Sequence, residues 1–417
     1  MAYSNSKFSD FFKTTFRSLQ YKNFRLFWFG QCISLTGTWM QRAAQTWLVY
    51  TVTNSPMKVG IVGICQFLPM MLFSLFAGVY VDRFSKKKIL VFTQSLFMLQ
   101  AVIMTLLTYT GQIQYWHILM LSTLFGLTQT LDMPGRQSFF IDLVGTENVT
   151  NAISLNSTIV NLARIVGPAV SGIVMVKYGV VFCFFVNALS YIPVIIGMLL
   201  INVPAKKQKT QKNIRGDVIL DIKDGIRYIG KSEVLYLNVM IMAVVCTFAM
   251  NNDVIIPVFA KDVLGRGAEA YTRLLSMAGL GAFIGAIIMS YISKYGVNKK
   301  LLLISGAFTG ILQVLTITTK IYLICQLLIL SIGFFNLVFI NIANAIFQVY
   351  SSNEYRGRVM SVYSFLNQGS TPIGNFFAGA VMEGLGGVFG FLSCGAVTLL
   401  FLGFVFAFKR KTLREWQ

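Results

Sequence analysis

Charge is what this chain has least of. Charged residues fill 12% of its 417 positions, against about 25% in soluble domains. Acids are scarcer still, 15 Asp and Glu against 35 Lys and Arg. So few charges exclude an ordinary soluble globule. The single histidine, His117, has no second His or Cys near it, which excludes a metal centre of the usual kind. The six cysteines (Cys32, Cys65, Cys183, Cys246, Cys325, Cys394) stand apart in apolar runs and read as small core residues. There is no Gly-Lys-Ser/Thr phosphate loop and no nucleophile–base constellation, so an enzyme, a catalytic residue, a cofactor and ATP drive are all unexpected. The first 22 residues lack the apolar core and small-residue cleavage site of a secretory signal. Phe8, Phe11, Phe12, Phe16 and Leu19 instead share one face, as in a short helix lying at a membrane surface.

Hydrophobic residues take the place of charge, at 55% of the chain with a mean hydropathy of +0.67. Apolar runs of about 20 residues recur along the whole length, each long enough to cross a bilayer as a helix. They are continuous rather than alternating, which excludes a membrane β-barrel. The expectation is an all-α membrane protein with twelve transmembrane helices, starting near residues 23, 58, 89, 116, 152, 180, 233, 271, 299, 321, 358 and 387.

The basic residues are unevenly placed. Segments 1–22, 81–88, 203–231, 293–300, 350–358 and 409–417 together hold 25 of the 35 Lys and Arg, whereas the alternate loops hold Lys58, Lys177, Lys261, Arg266, Arg273 and Lys320. Basic loops stay on the cytoplasmic side. The net charge of +20 is therefore topological, both termini are expected in the cytoplasm, and no nucleic-acid partner is implied. The expected location is the plasma membrane (in bacteria, the inner membrane).

The longest polar stretch, residues 202–233, divides the spans six and six. This gives an N-terminal bundle over 1–202, a cytoplasmic linker over 203–232 with an amphipathic helix around Val218–Ile229, and a C-terminal bundle over 233–417. A weak repeat relates the halves. At an offset of 207, Ser154, Gly167, Gly172 and Gly179 fall on Ser361, Gly374, Gly379 and Gly386; at 211, Asp82 and Arg83 fall on Ser293 and Lys294. Two pseudo-symmetric six-helix bundles are the architecture of many secondary transporters, with substrate bound between them and exposed to each side in turn.

Residues 78–88, GVYVDRFSKKK, resemble the loop between helices 2 and 3 of the major facilitator superfamily. Gly78, Asp82, Arg83 and Lys87 match; Ser85 replaces the usual glycine and Lys86 the usual arginine. The resemblance implies a cytoplasmic latch, with Asp82 meeting the helix that begins near Glu354–Arg358 and Arg83 meeting Asp142. Ser293 has lost the acid in the second half, so the latch is expected to be one-sided. NLARIVGPAVSG, residues 161–172, resembles the antiporter motif of the superfamily's drug/proton exchangers through Gly167, Pro168 and Gly172, with Ser171 in place of a glycine. An ordinary Gly-Pro kink is the other reading. The longer stretches LDMPGRQSFFIDLVG and NEYRGRVMSVYSFLNQG are similar to the branch that includes the enterobactin exporter and macrolide-efflux proteins.

Ionisable residues inside spans are costly, at least about 2.5–3.5 kcal/mol each, and so mark function. Arg42, Asp132, Arg136, Arg164 and Asp253 stand out. Arg42 and Asp253 are equivalent under the offset of 211, and read either as a gate pair or as a static ion pair. Asp132 is expected to pair with Arg164, which alternatively offers its planar fork to an acidic substrate; Arg136 lies near enough to the inner edge to snorkel. Asp132 and Asp253 are the candidate proton carriers. Gln45, Gln129, Asn161 and Asn336 add candidate polar contacts to a cavity, and Trp39, Trp47, Phe67 and Tyr363 aromatic ones.

The function expected is export of an amphiphilic small molecule (drug-, macrolide- or siderophore-like) by a proton-driven secondary transporter. It is expected to act as a monomer in the lipid bilayer with the proton gradient as energy source. A lipid or lysolipid flippase on the same fold is the alternative, and a non-transporting membrane sensor the more distant one.

Overall fold

The computed structural model describes residues 16–202, 218–292, 296–352 and 354–408. The lead-in residues Phe8, Phe11 and Phe12 and the Ser293–Lys294 counterpart lie outside the described residues. What is described is helical, with no strand: α1 Lys22–Thr53, α2 Pro56–Arg83, α3 Lys86–Tyr109, α4 Tyr115–Val144, α5 Val149–Tyr178, α6 Val180–Leu200, α7 Val218–Lys231, α8 Glu233–Val244, α9 Asn252–Val258, α10 Ala268–Ile292, α11 Lys300–Thr316, α12 Tyr322–Tyr350, α13 Arg356–Ser364, α14 Thr371–Leu385 and α15 Phe389–Phe408. A short 3₁₀ turn, Arg17–Gln20, precedes α1. Each of the twelve expected span starts falls within three residues of a helix start.

Among the described residues, eight helices are long and apolar enough to cross a membrane: Pro56–Phe73, α3, α5, α6, the composite Glu233–Val263, α10, α12 and α15; α11 is apolar but shorter. The remaining long stretches, α1, α4 and α13 with α14, carry the polar side chains that occupy the interior. Gln31, Gln41 and Gln45 on α1 and Thr128, Thr130 and Asp132 on α4 are all buried. That lowers the apolar content of those helices.

The chain forms two compact units: Met1–Gln45 with Pro69–Lys207, and Thr46–Leu68 with Gln208–Gln417. The ends of α1 and α2 that flank their connecting turn thus belong with the second unit. In the first unit, α1 approaches α6 and α5 closely. Gly37 admits Asn187 and Ser190 of α6, and Gly167 of α5 sits where an added Cβ would meet Trp39 Cβ at 2.5 Å and the Thr36 carbonyl oxygen at 3.1 Å.

The second unit repeats this approach. Gly374 of α14 sits against the Thr247 carbonyl oxygen and the Asn251 side chain, well inside van der Waals reach of any added Cβ. The offsets of 207 and 211 carry Gly167 and Thr36 onto Gly374 and Thr247. The same helix-to-helix contact is therefore built twice, and Gly-for-Cβ economy lets the backbones meet.

Among the described residues, three π-helical turns interrupt the second unit, at Val245–Ala249, Phe259–Val263 and Phe365–Gly369. At the first, the Asn251 amide donates to the Thr247 and Phe248 carbonyls at 2.8 and 3.1 Å, which satisfies backbone oxygens that the break releases. α10 and α12 approach at Gly281 and Gly333, each facing the other helix's backbone carbonyl, of Leu330 and Ala278 respectively. The linker helix α7 lies on α13, with Gly225 against Arg358 and the Tyr228 ring stacked on Tyr355 at 4.5 Å.

Candidate transport site

The close approach at Gly167 positions the first feature of the site. One turn earlier on α5, Arg164 lies with its guanidinium carbon 5.2 Å from the Trp39 ring centroid. Arg42, three residues on from Trp39 along α1, lies 5.1 Å from the same ring. Two cations thus converge on one indole, an attraction worth about 0.5–2 kcal/mol each. All three side chains are half-buried. Pro168 does not end α5, which runs unbroken to Tyr178, and Ser171 donates to the Met40 carbonyl at 3.1 Å, tying the motif to α1. Gly172 is buried on the same helix.

Asp132 is bridged to Arg136 one turn along α4, not to Arg164 as the sequence suggests. The i,i+4 spacing lets two side chains of one helix meet without help from a neighbour. Its other oxygen accepts from Thr93 Oγ1 and Gln94 Nε2 of α3, both at 2.8 Å. Arg136 does not snorkel; its second nitrogen donates to Gln31 Oε1 of α1 at 2.7 Å. A buried carboxylate with three donors, and a guanidinium shared between Asp132 and Gln31, form a structural brace between α1, α3 and α4.

The expected cavity residues divide. Gln45 donates to Ser122 Oγ at 2.7 Å and so bonds α1 to α4. Asn161 turns its amide back to the Ser157 carbonyl of its own helix at 3.0 Å. Tyr363 is buried, edge-on to Phe347, and Trp47 stacks on Tyr271 at 5.5 Å. Gln129 is half-buried on α4. Asn336 keeps a buried Oδ1 with no hydrogen bond on α12. Asp253 stands half-buried on the first turn of α9, just past the break at Asn251.

The basic loop does more than set topology. Gly78, Asp82 and Arg83 lie on the last turns of α2, their side chains outside the described residues. Asp142, assigned to Arg83 by the sequence, is held by Lys86 at 3.1 Å, and Lys86 also donates to the Ser138 carbonyl. Lys87 donates to the Leu199 and Ile201 carbonyls at 3.1 and 2.7 Å, where the C-terminus of α6 leaves oxygens without intrahelical partners. Arg358 lies 3.8 Å from Asp224 of the linker helix and 5.3 Å from the Tyr355 ring centroid. Beside it, Ser352 donates its backbone N–H to the Tyr228 oxygen at 3.0 Å, and hydrogen bonding by Ser352, from its side chain first and its backbone second, lowers the Tyr228 phenol below its ordinary pKa.

A second polar cluster escaped the sequence reading. Within the second unit, the α1–α2 turn is clasped by two carboxylates and a lysine. The Tyr50 hydroxyl donates to Asp262 Oδ2 in a short hydrogen bond. Lys261 Nζ donates to Asn54 Oδ1 at 2.6 Å and lies 5.0 Å from the Tyr50 ring. Ser55 Oγ donates to Glu383 Oε2 at 2.7 Å, and the Met57 N–H points to the same oxygen. Asn54 is the one non-glycine among the described residues with a positive φ, +47°, a conformation that asparagine tolerates better than most. Each partner lies more than 200 positions away in the chain, so no local pattern announces the clasp. Among the described residues no group of His, Cys, Asp and Glu has the arrangement of a metal site.

Comparison with known proteins agrees with this architecture. The chain is 25% identical over 395 residues to a staphyloferrin A transporter of Staphylococcus aureus, covering 94% of this chain and 97% of that one. It is 20% identical over 393 residues to a macrolide efflux protein A of Streptococcus pyogenes, covering 91% and 95%. Among solved structures, the nucleoside transporter NupG shares the fold with a TM-score of 0.72 at 12% identity, over 95% of this chain and all of that one. Residues 13–417 match the model of the transmembrane secretion effector family. With its paired Gly167 and Gly374 contacts and its GVYVDRFSKKK loop, the chain belongs to that family of major facilitator transporters and is a multi-pass membrane transporter, not an enzyme.

Proposed function

We propose that this protein exports an amphiphilic organic molecule, of the macrolide, drug or siderophore kind, by proton antiport with alternating access. The relatives' names, a staphyloferrin A transporter and a macrolide efflux protein, support that substrate range. The observation that carries the mechanism is the clasp at the α1–α2 turn. Basic residues concentrated in alternate loops favour cytoplasmic termini, and this orientation puts the turn on the outer side. The clasp consists of discrete hydrogen bonds, from Tyr50 to Asp262, Lys261 to Asn54 and Ser55 to Glu383. Single bonds of this kind contribute about 0.5–3 kcal/mol each, enough to hold a closed outer side and little enough for substrate or proton binding to release it.

In this reading Asp253, beside the helix break, carries the proton, because both oxygens of Asp132 are already engaged by Arg136, Thr93 and Gln94. The resemblance of residues 78–88 to the superfamily's helix 2–3 loop supports a latch role for Asp82 on the cytoplasmic side in that cycle. The test uses proteoliposomes with an acidified lumen. Adding erythromycin or staphyloferrin A outside dissipates the pH gradient in wild type, and Asp253→Asn abolishes the dissipation while leaving substrate counterflow. Substrate movement with an unchanged gradient refutes proton antiport.

A further inference from the structure

We infer that the start of α1 is a docking site for an anionic phospholipid. Arg17, Lys22 and Arg25 hold the headgroup phosphate, and Phe29 and Ile33 lie along an acyl chain. This partner goes beyond the proposed function and does not depend on it. The first observation is a stripe. Over residues 22–33 the exposed side chains are Lys22, Arg25, Phe29 and Ile33, and steps of three, four and four residues place them on one helical face. The opposite face, with Phe24, Phe27 and Gly30, is buried. Two cations thus stand at one end of the stripe, and two apolar side chains, 54% and 51% exposed, follow them. A phospholipid has the same order along its length. A water-soluble anion leaves Phe29 and Ile33 uncovered.

The second observation is that the lead-in turn Arg17–Gln20 is pinned to the same unit. Ser18 is fully buried; its N–H donates to Asn151 Oδ1 at 2.9 Å and its hydroxyl to the Asn148 carbonyl at 3.2 Å, both at the start of α5. Asn148 Nδ2 donates to the Tyr21 hydroxyl oxygen at 2.9 Å, and Asn23 Nδ2 to the Asn202 carbonyl at 3.1 Å. These bonds fix the backbone on both sides of Lys22, so little order is lost when a headgroup binds. Arg17 is exposed as well. Among the described residues no acid pairs with Arg17, Lys22 or Arg25. Glu147, exposed beside Asn148, offsets one of the three charges at most. Cations held together without counter-charge repel one another, and a phosphate relieves that repulsion. In the orientation that the basic loops favour, the patch meets the cytoplasmic leaflet, whose anionic lipids attract each such cation by up to about fivefold in affinity.

The experiment is native mass spectrometry of the full chain in detergent, offered equal amounts of phosphatidylglycerol and phosphatidylcholine with identical acyl chains. Wild type retains phosphatidylglycerol in preference by at least about tenfold. Arg17→Gln, Lys22→Gln and Arg25→Gln each cut that preference by about three- to fivefold, and the triple variant abolishes it. Replacing all three by Glu turns the preference toward a cationic lipid, ethylphosphatidylcholine, a gain that a folding defect does not produce. Phe29→Ser weakens retention of both lipids by about threefold or more. Lys320→Gln, at an exposed lysine just before α12, leaves the preference unchanged. Glycerol 1-phosphate at millimolar concentration does not displace the lipid. Equal retention of the two lipids, or a preference indifferent to the triple Gln variant, overturns the inference. So does retention indifferent to Phe29→Ser, or displacement by glycerol 1-phosphate, which marks a site for free anions.

Discussion

Removing one hydroxyl tests whether the clasp holds the outer side closed. Tyr50→Phe keeps the ring, which is almost fully buried, and deletes only the donor to Asp262. Asp262 is exposed, so water replaces the lost partner and no charge is stranded. The bond is charge-assisted but sits near the surface, and its loss costs the closed arrangement about 1–2 kcal/mol. That corresponds to a roughly 5- to 30-fold rise in the open population. The reporter is Thr46→Cys, one turn before Tyr50 and half-buried, in a background with the two half-buried native cysteines, Cys32 and Cys65, replaced by serine. Its labelling by a membrane-impermeant maleimide added outside cells tracks the open population. The Tyr50→Phe rate rises by that factor. A rate within twofold of the parent's, in protein that still folds, refutes the clasp.

Three further outcomes follow from the packing. Asp132→Leu leaves Arg136 buried beside Gln31 without its carboxylate, and costs about 3–5 kcal/mol by thermal unfolding in detergent; adding Arg136→Met recovers most of that loss. Gly281→Ala drives a methyl into the Leu330 carbonyl and costs about 1–3 kcal/mol, whereas Gly403→Ala, with nothing within 4 Å, leaves the melting temperature unchanged. Lys86→Met removes a partly exposed bridge to Asp142 and costs no more than about 1 kcal/mol, a clear contrast with Asp132.

The helices were legible because the bilayer imposes a length: runs of about 20 apolar residues have one structural meaning, and span starts fell within three residues of the observed helices. The duplication was legible through glycines, since Gly167 and Gly374 occupy the same contact in their own units. Partner assignment was not. Arg164 was matched to Asp132 by depth, yet the nearer signal was the Asp132–Arg136 spacing of four, which puts both on one helical face. Lys86 was taken as a topological charge, yet it holds Asp142, because a family pattern names residue types and not which lysine reaches. Asp262 and Glu383 lie at helix ends, where a carboxylate reads as solvated; their partners Tyr50 and Ser55 are separated from them by 212 and 328 positions. Contacts of that range come from tertiary packing, which one sequence does not encode in any local period.

Alternating access is the central claim, and covalent closure of the clasp tests it most directly. Asn54→Cys with Lys261→Cys, placed where the side chains now meet at 2.6 Å, is joined by a reducible bis-maleimide in proteoliposomes. The account predicts that transport stops on cross-linking and returns on reduction. Undiminished transport by the cross-linked protein contradicts it.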